Sequence, residues 1–146
     1  MQKNPFCFLA MILILFAHAG CSRDNRPKDL PRLFPATLTV TLDEQPLADA
    51  IVTLYPENEA DARWTVGGWT DSNGKATIVT HGQFHGSPAG KFKVGVTKSE
   101  AKGSGPSLRV THLVDPVFAD PQKTPLEIEV SSKGTTNLTL SVYKPQ

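Results

Sequence analysis

The stretch Trp69-Thr70-Asp71-Ser72-Asn73-Gly74-Lys75-Ala76 decides the fold of this chain. Asn73-Gly74 is a strong hairpin signal, because a type I′ turn needs positive φ at both central residues. Asp71 and Ser72 can hydrogen-bond nearby backbone and favour a turn over a continued strand. The stretch therefore joins Val66–Thr70 to Ala76–Thr80 as an antiparallel pair. Ala76, Ile78 and Thr80 alternate with Thr77 and Val79, so the second arm reads as buried on both faces at Ile78 and Val79.

Strand signals continue on both sides. Ala36–Asp43 places Leu38, Val40 and Leu42 on one face and three threonines on the other, the period of a half-buried strand. Glu44-Gln45-Pro46-Leu47 reads as a turn. Ala48–Tyr55 follows with Ala50, Val52 and Leu54 on one face, ended by Pro56. Downstream, Lys91–Lys98 points Phe92, Val94 and Val96 inward, and Gly95 marks a bulge or a close backbone approach. Leu126–Ser131 and Asn137–Tyr143 alternate again around a turn at Lys133-Gly134. His81–Gly90 is a loop by composition. Ser99–Lys123, rich in Gly, Ser, Pro and Asp, reads as a long loop that is either functional or mobile.

The total is about seven strands with a turn every ten residues or so, and no window past residue 35 keeps a helical period. The 146 residues and 39% hydrophobic content suit one core, and twelve prolines and eleven glycines suit strands joined by turns. The expectation is an all-β, single seven-stranded β-sandwich over residues 36–146.

The N-terminus reads as a targeting segment over residues 1–20. Lys3 is followed by the apolar run Phe6–Phe16, which has signal-peptide length and falls short of the about 20 residues of a membrane span. Ala19-Gly20-Cys21 then resembles a bacterial lipobox, with His18 where an aliphatic residue is usual. That resemblance implies diacylation of Cys21 and cleavage just before it. The alternative is ordinary secretory cleavage near Ala19 or Gly20, leaving Cys21 as a free thiol. Ser22 in place of aspartate implies, by the same resemblance, the outer membrane. Residues 21–35, with Pro27, Pro31 and Pro35, read as a lipidated tether.

Charge and cysteines exclude several partners. Losing residues 1–20 removes Lys3 and no acid, so fifteen bases become fourteen against fourteen acids. A net charge near zero argues against nucleic acid and against an electrostatic grip on anionic lipid. The only other cysteine, Cys7, lies in the removed segment, so the mature chain has no intrachain disulfide.

Three blocks taken together resemble a known family. They are Gln45-Pro46-Leu47-Ala48-Asp49-Ala50 with Val52-Thr53-Leu54-Tyr55-Pro56, then Gly68–Ala76, then Gly86-Ser87-Pro88-Ala89-Gly90-Lys91-Phe92-Lys93-Val94. Their order is similar to the transthyretin-like, carboxypeptidase regulatory-like domains, in the form carried by small bacterial lipoproteins. Asp49 stands where that pattern often has a turn glycine, and aspartate tolerates left-handed backbone. The resemblance implies an Ig-like sandwich and says little about function. Family members that hydrolyse 5-hydroxyisourate end in Tyr-Arg-Gly-Ser, whereas this chain ends Tyr143-Lys144-Pro145-Gln146. The lysine that related pilus domains cross-link to an asparagine is missing from Ala36–Asp43.

Side chains with possible chemistry are few. His81 and His85, with His112, could bind zinc, but a spacing of four shares a face only in a helix, and Gly82 and Gly86 oppose one. Asp71–Gly74 lacks the later ligands of a calcium loop. No serine has a nucleophile-elbow context. The expectation is no metal, no cofactor and no enzymatic activity. Trp64, Trp69 and Tyr55 are the weak ligand-binding candidates, with His81 and His85: exposed, the aromatics could stack on sugar rings, and buried they anchor the core, as large aromatics usually do. Core packing is the reading for Trp69, and Trp64 is left open. The sequence thus points to a membrane-anchored, extracytoplasmic structural or interaction module with an envelope protein or glycan as partner. Its working surface is expected to combine Ser99–Lys123 with His81–Gly90.

Overall fold

The structure, a computed structural model, describes residues 26–58 and 62–146. The targeting segment and Cys21 lie outside the described residues. The chain divides into a unit ending at Leu30 and a unit from Pro31 to Gln146. In the first, residues 26–30 hold a turn in which the Leu30 amide donates to Pro27 O at 3.1 Å.

The second unit is all β. Its first strands are β1 (Leu33–Phe34), β2 (Ala36–Leu42), β3 (Gln45–Pro46), β4 (Ile51–Pro56) and β5 (Val66–Trp69). Short segments follow: β6 (Lys75–Thr77), β7 (Val79–Thr80), β8 (Phe84–His85) and β9 (Ser87–Pro88). The last are β10 (Gly90–Thr97), β11 (Ser99–Lys102), β12 (Arg109–His112), β13 (Glu127–Val130) and β14 (Thr135–Val142). One sheet runs β13-β10-β4-β5-β7-β8, and the other runs β14-β2-β3 with β6 also on β2. Leu38, Val40, Leu140 and Val142 of the second sheet share one buried cluster with Val52, Leu54, Val66, Phe92, Val94, Val96, Ile128 and Val130 of the first. The fold is a β-sandwich, and these inward residues are the ones the two-residue period selects.

The Asp71–Gly74 turn forms where expected but in another type. The Gly74 amide donates to Asp71 O at 2.9 Å, and of the turn residues only Gly74 has positive φ, at 71°. Asp71 Oδ1 accepts from the amides of Asn73 at 2.8 Å and Lys75 at 2.9 Å. Aspartate therefore organises a four-residue turn whose last residue is a left-handed glycine, and the Asn73-Gly74 type I′ turn does not form. The register of the predicted pair holds at Thr70↔Ala76, Gly67↔Val79 and Val66↔Thr80. Its second arm is split, however: β6 pairs with β2 in one sheet and β7 with β5 in the other, and fully buried Ile78 stands at the crossing.

Three other expectations shift. The first turn is Asp43-Glu44, both at positive φ, and Gln45–Pro46 is a strand rather than part of the turn. Leu33–Phe34, at the end of the expected tether, pair with Ser87–Pro88. Ser99–Lys123 is not one loop. Residues 99–112 hold the β11–β12 hairpin, whereas Pro116–Ala119 forms a 3-10 turn that inserts Phe118, 1% exposed, against Tyr143 at 4.7 Å between ring centres. Gly95 does mark a close approach, because a Cβ there would stand 2.8 Å from Tyr55 Cε2. Asp49 takes the left-handed backbone, with φ 53°.

The ladders define two ends. β14 lies parallel to β2, Thr135 beside Ala36 and Val142 beside Leu42. The end at Ala36, where the chain enters from β1, also holds Ile78, whose amide donates to Ala36 O, and the β7–β8 connection. The opposite end holds the Asp43-Glu44 turn, Tyr143, Thr70 and the Ile51↔Thr97 pair.

Candidate functional site

Two surfaces stand out, and both begin at the end opposite the entry. The first is the β11–β12 hairpin. Every residue from 99 to 112 is exposed, and the pair belongs to neither sheet. Its root is fixed by Lys98 Nζ, which donates to Ala48 O at 2.6 Å, and by the Leu113 amide, which donates to Lys98 O at 2.8 Å. Gly103 has φ 89°, and a Cβ there would meet Ser107 O at 2.4 Å, so the tight tip requires glycine.

Register sorts the hairpin into two faces. Ala101↔Val110 and Ser99↔His112 share one, and Lys102↔Arg109 with Glu100↔Thr111 the other. Leu108 and Val110 are 53% and 57% exposed. The hairpin therefore carries a basic outer pair and an uncovered apolar tip. Ser99 Oγ and His112 Nδ1 lie 2.9 Å apart. Nucleophilic catalysis also needs a group that orients the imidazole, and no carboxylate partners His112 among the described residues. The pair acts as a cross-strand link.

The second surface is the outer face of the six-stranded sheet. Trp69 is not in the core: it is 67% exposed, directly opposite Ile51, which is itself 39% exposed. Val66 and Thr70 point inward, and the two-residue period sends Trp69 out. The parity of Val66 carried that signal, obscured because buried Thr70 is polar. Beside Trp69 lies a trough of about 360 Å³ lined among others by Ile51, Thr53, Thr65, Gly67 and Val79. A Cβ on Gly67 would stand 2.3 Å from Val52 O, so β5 offers bare backbone on this face; at Gly68, on the inward parity of Val66 and Thr70, a Cβ would stand 2.5 Å from Thr77 O of the other sheet.

The remaining predicted residues do not join Trp69. Trp64 is half-buried at the entry end, edge-on to His81 with 5.3 Å between ring centres and with the Arg63 guanidinium 5.5 Å from its ring. Tyr55, also half-buried, leans over Gly95 rather than into the trough. His81, at φ 54°, and His85 on β8 sit at the entry end, whereas His112 is on the hairpin, so the three imidazoles do not converge. Among the described residues no three His, Cys, Asp or Glu side chains gather as a metal site. The expected single surface of Ser99–Lys123 with His81–Gly90 does not exist, because the two segments stand at opposite ends.

Ion pairs are peripheral. A hydrogen bond and the charge of Lys93 hold the Glu127 carboxyl below its ordinary value. The Gln122 amide, with Lys123, does the same for Asp120.

No family model matches the chain, and no curated protein is similar to it. Among solved structures it is similar to the major pilin subunit of Bacillus cereus, with a TM-score of 0.47 and 18% identity over 79% of this chain and 31% of that one. It is also similar to a 9R-lipoxygenase from Cyanothece, with a TM-score of 0.42 and 16% identity over 83% of this chain and 18% of that one. The chain thus spans about a third or less of the solved structures it matches.

Proposed function

We propose that the chain is a non-enzymatic interaction module of the bacterial cell envelope, held on a membrane through acylated Cys21 and presenting the β11–β12 hairpin to a partner protein. One observation carries this reading: fourteen consecutive exposed residues, 99–112, form a hairpin rooted at the end opposite the tether's entry. An isolated two-stranded hairpin is marginal in water, and its uncovered Leu108 and Val110 support a contact there. The lipobox-like Ala19-Gly20-Cys21 supports the anchor, and the likeness to carboxypeptidase regulatory-like lipoprotein domains supports the address. Two acyl chains together hold a protein on a bilayer stably.

Intact mass and detergent partition of the full chain beside Cys21→Ser test the anchor. Acylated mass and membrane partition, both lost in Cys21→Ser, are expected; a soluble protein beginning near Ala19 would overturn it. A photo-cross-linker at Val110, compared with one at Gln83 on the entry side, tests the surface in cells. Adducts confined to position 110 and lost on reversal of Lys102 and Arg109 are expected. Equal adducts at both positions, or none, would overturn the hairpin reading.

A further inference from the structure

Trp69 presents an aromatic surface to solvent on a sheet face, and the trough beside it contains no charged side chain among its lining residues. Thr53 and Thr65 bring hydroxyls that make no side-chain hydrogen bond within the described protein. From Thr65, just before β5, to Trp69 the trough runs four residue steps, roughly 13 Å at about 3.3 Å each. Its volume falls within the range of small-ligand sites.

Those features select a ligand class. The face of an indole ring is the negative side of its quadrupole and attracts polarised C–H bonds. A pyranose ring offers such bonds on its face and uncharged hydroxyls around its edge. The bare backbone at Gly67, which shares the outward parity of Trp69, lets a flat ring approach closely, as no side chain can occupy that position. A charged ligand would find no counter-charge in the trough, and a purely apolar one would leave the two hydroxyls unused.

We infer that the Trp69 trough is a binding site for a short, uncharged oligosaccharide, with one sugar ring stacked on Trp69 and the next over Gly67 between Thr53 and Thr65. The site uses neither Trp64 nor Tyr55. It is separate from the hairpin and stands or falls independently of the partner reading above.

The test uses a Trp64→Phe background, which leaves Trp69 as the only tryptophan, titrated with chitotetraose, cellotetraose and maltotetraose. At least one is expected to change Trp69 emission and shift the Gly67 and Gly68 amide resonances with a Kd below about 1 mM. Trp69→Ala, a change at an exposed position, should weaken that binding at least tenfold while leaving the circular dichroism unchanged. Thr53→Val should weaken it less and should not abolish the stacking signal. Removal of residues 100–111 should leave it unaltered. Either of two results would overturn the inference: no response to any of the three sugars at 10 mM, or binding that persists in Trp69→Ala.

Discussion

Lys102 and Arg109 stand directly opposite each other across the outer end of the β11–β12 hairpin, on strands that no other element covers. Like charges in directly opposed positions destabilise a strand pair. The hairpin carries this repulsion where it is least supported, with Glu100 two residues away on the same face.

Lys102→Glu should convert the repulsion into an attraction. The hairpin should become harder to open by about 0.2–1 kcal/mol, seen as slower amide exchange at Ala101 and Val110. Global thermal stability should hardly move, because the hairpin belongs to neither sheet. Faster exchange at those amides would contradict the assignment.

Thr70→Val should be costly although it conserves shape. Thr70 Oγ1 accepts from the buried Ala50 amide at 2.8 Å, and the Thr70 amide donates to Ala50 O at 2.9 Å. Valine leaves the Ala50 N–H without its acceptor, for a loss of about 1–3 kcal/mol. Thr70→Ser keeps the acceptor and should lose less in a urea titration. A greater loss in Thr70→Ser than in Thr70→Val would show that the methyl group, not the hydroxyl, matters.

Glu44→Gly should stabilise the protein. Asp43 and Glu44 occupy the two central positions of the β2–β3 turn at φ 48° and 68°, a region that costs an ordinary residue about 1–2 kcal/mol. Glycine relieves the strain at Glu44 and loses part of the gain to its freer unfolded chain. A net rise of about 0.5–1 kcal/mol in unfolding free energy is expected.

Glu127→Gln should flatten the acid limb of the stability curve. Lys93 lowers the folded-state pKa of Glu127 below its unfolded value of 4.5. The stabilisation is therefore present above that value and is lost as pH falls through the lower folded value. Wild type should be the more stable near neutrality, and the two proteins should converge in acid. Parallel curves down to the lowest pH would refute the pairing.

The strands were legible where one face is wet and the other dry. Leu38 and Val40 in β2, Val52 and Leu54 in β4, and Phe92, Val94 and Val96 in β10 all point as the alternation requires. The β11–β12 hairpin left no such trace, because Ser-Glu-Ala-Lys and Arg-Val-Thr-His are exposed on both faces and carry no hydrophobic period. Phe118 was hidden in the same way, being a single anchor in a stretch with loop composition. The trough depends on the pairing of β4 with β5 and on Gly67, whose importance shows only when Val52 O is seen beside it.

The parallel placement of β2 and β14 has a mechanical consequence. The chain enters β2 at Ala36 and leaves β14 beyond Val142, at opposite ends of the same ladder. Tension between those points pulls the two neighbours past each other along their length. Their hydrogen bonds from Leu38–Leu42 to Leu138–Val142 are then loaded together rather than broken one after another. A pull applied at Ala36 and Val142 therefore loads this ladder in shear.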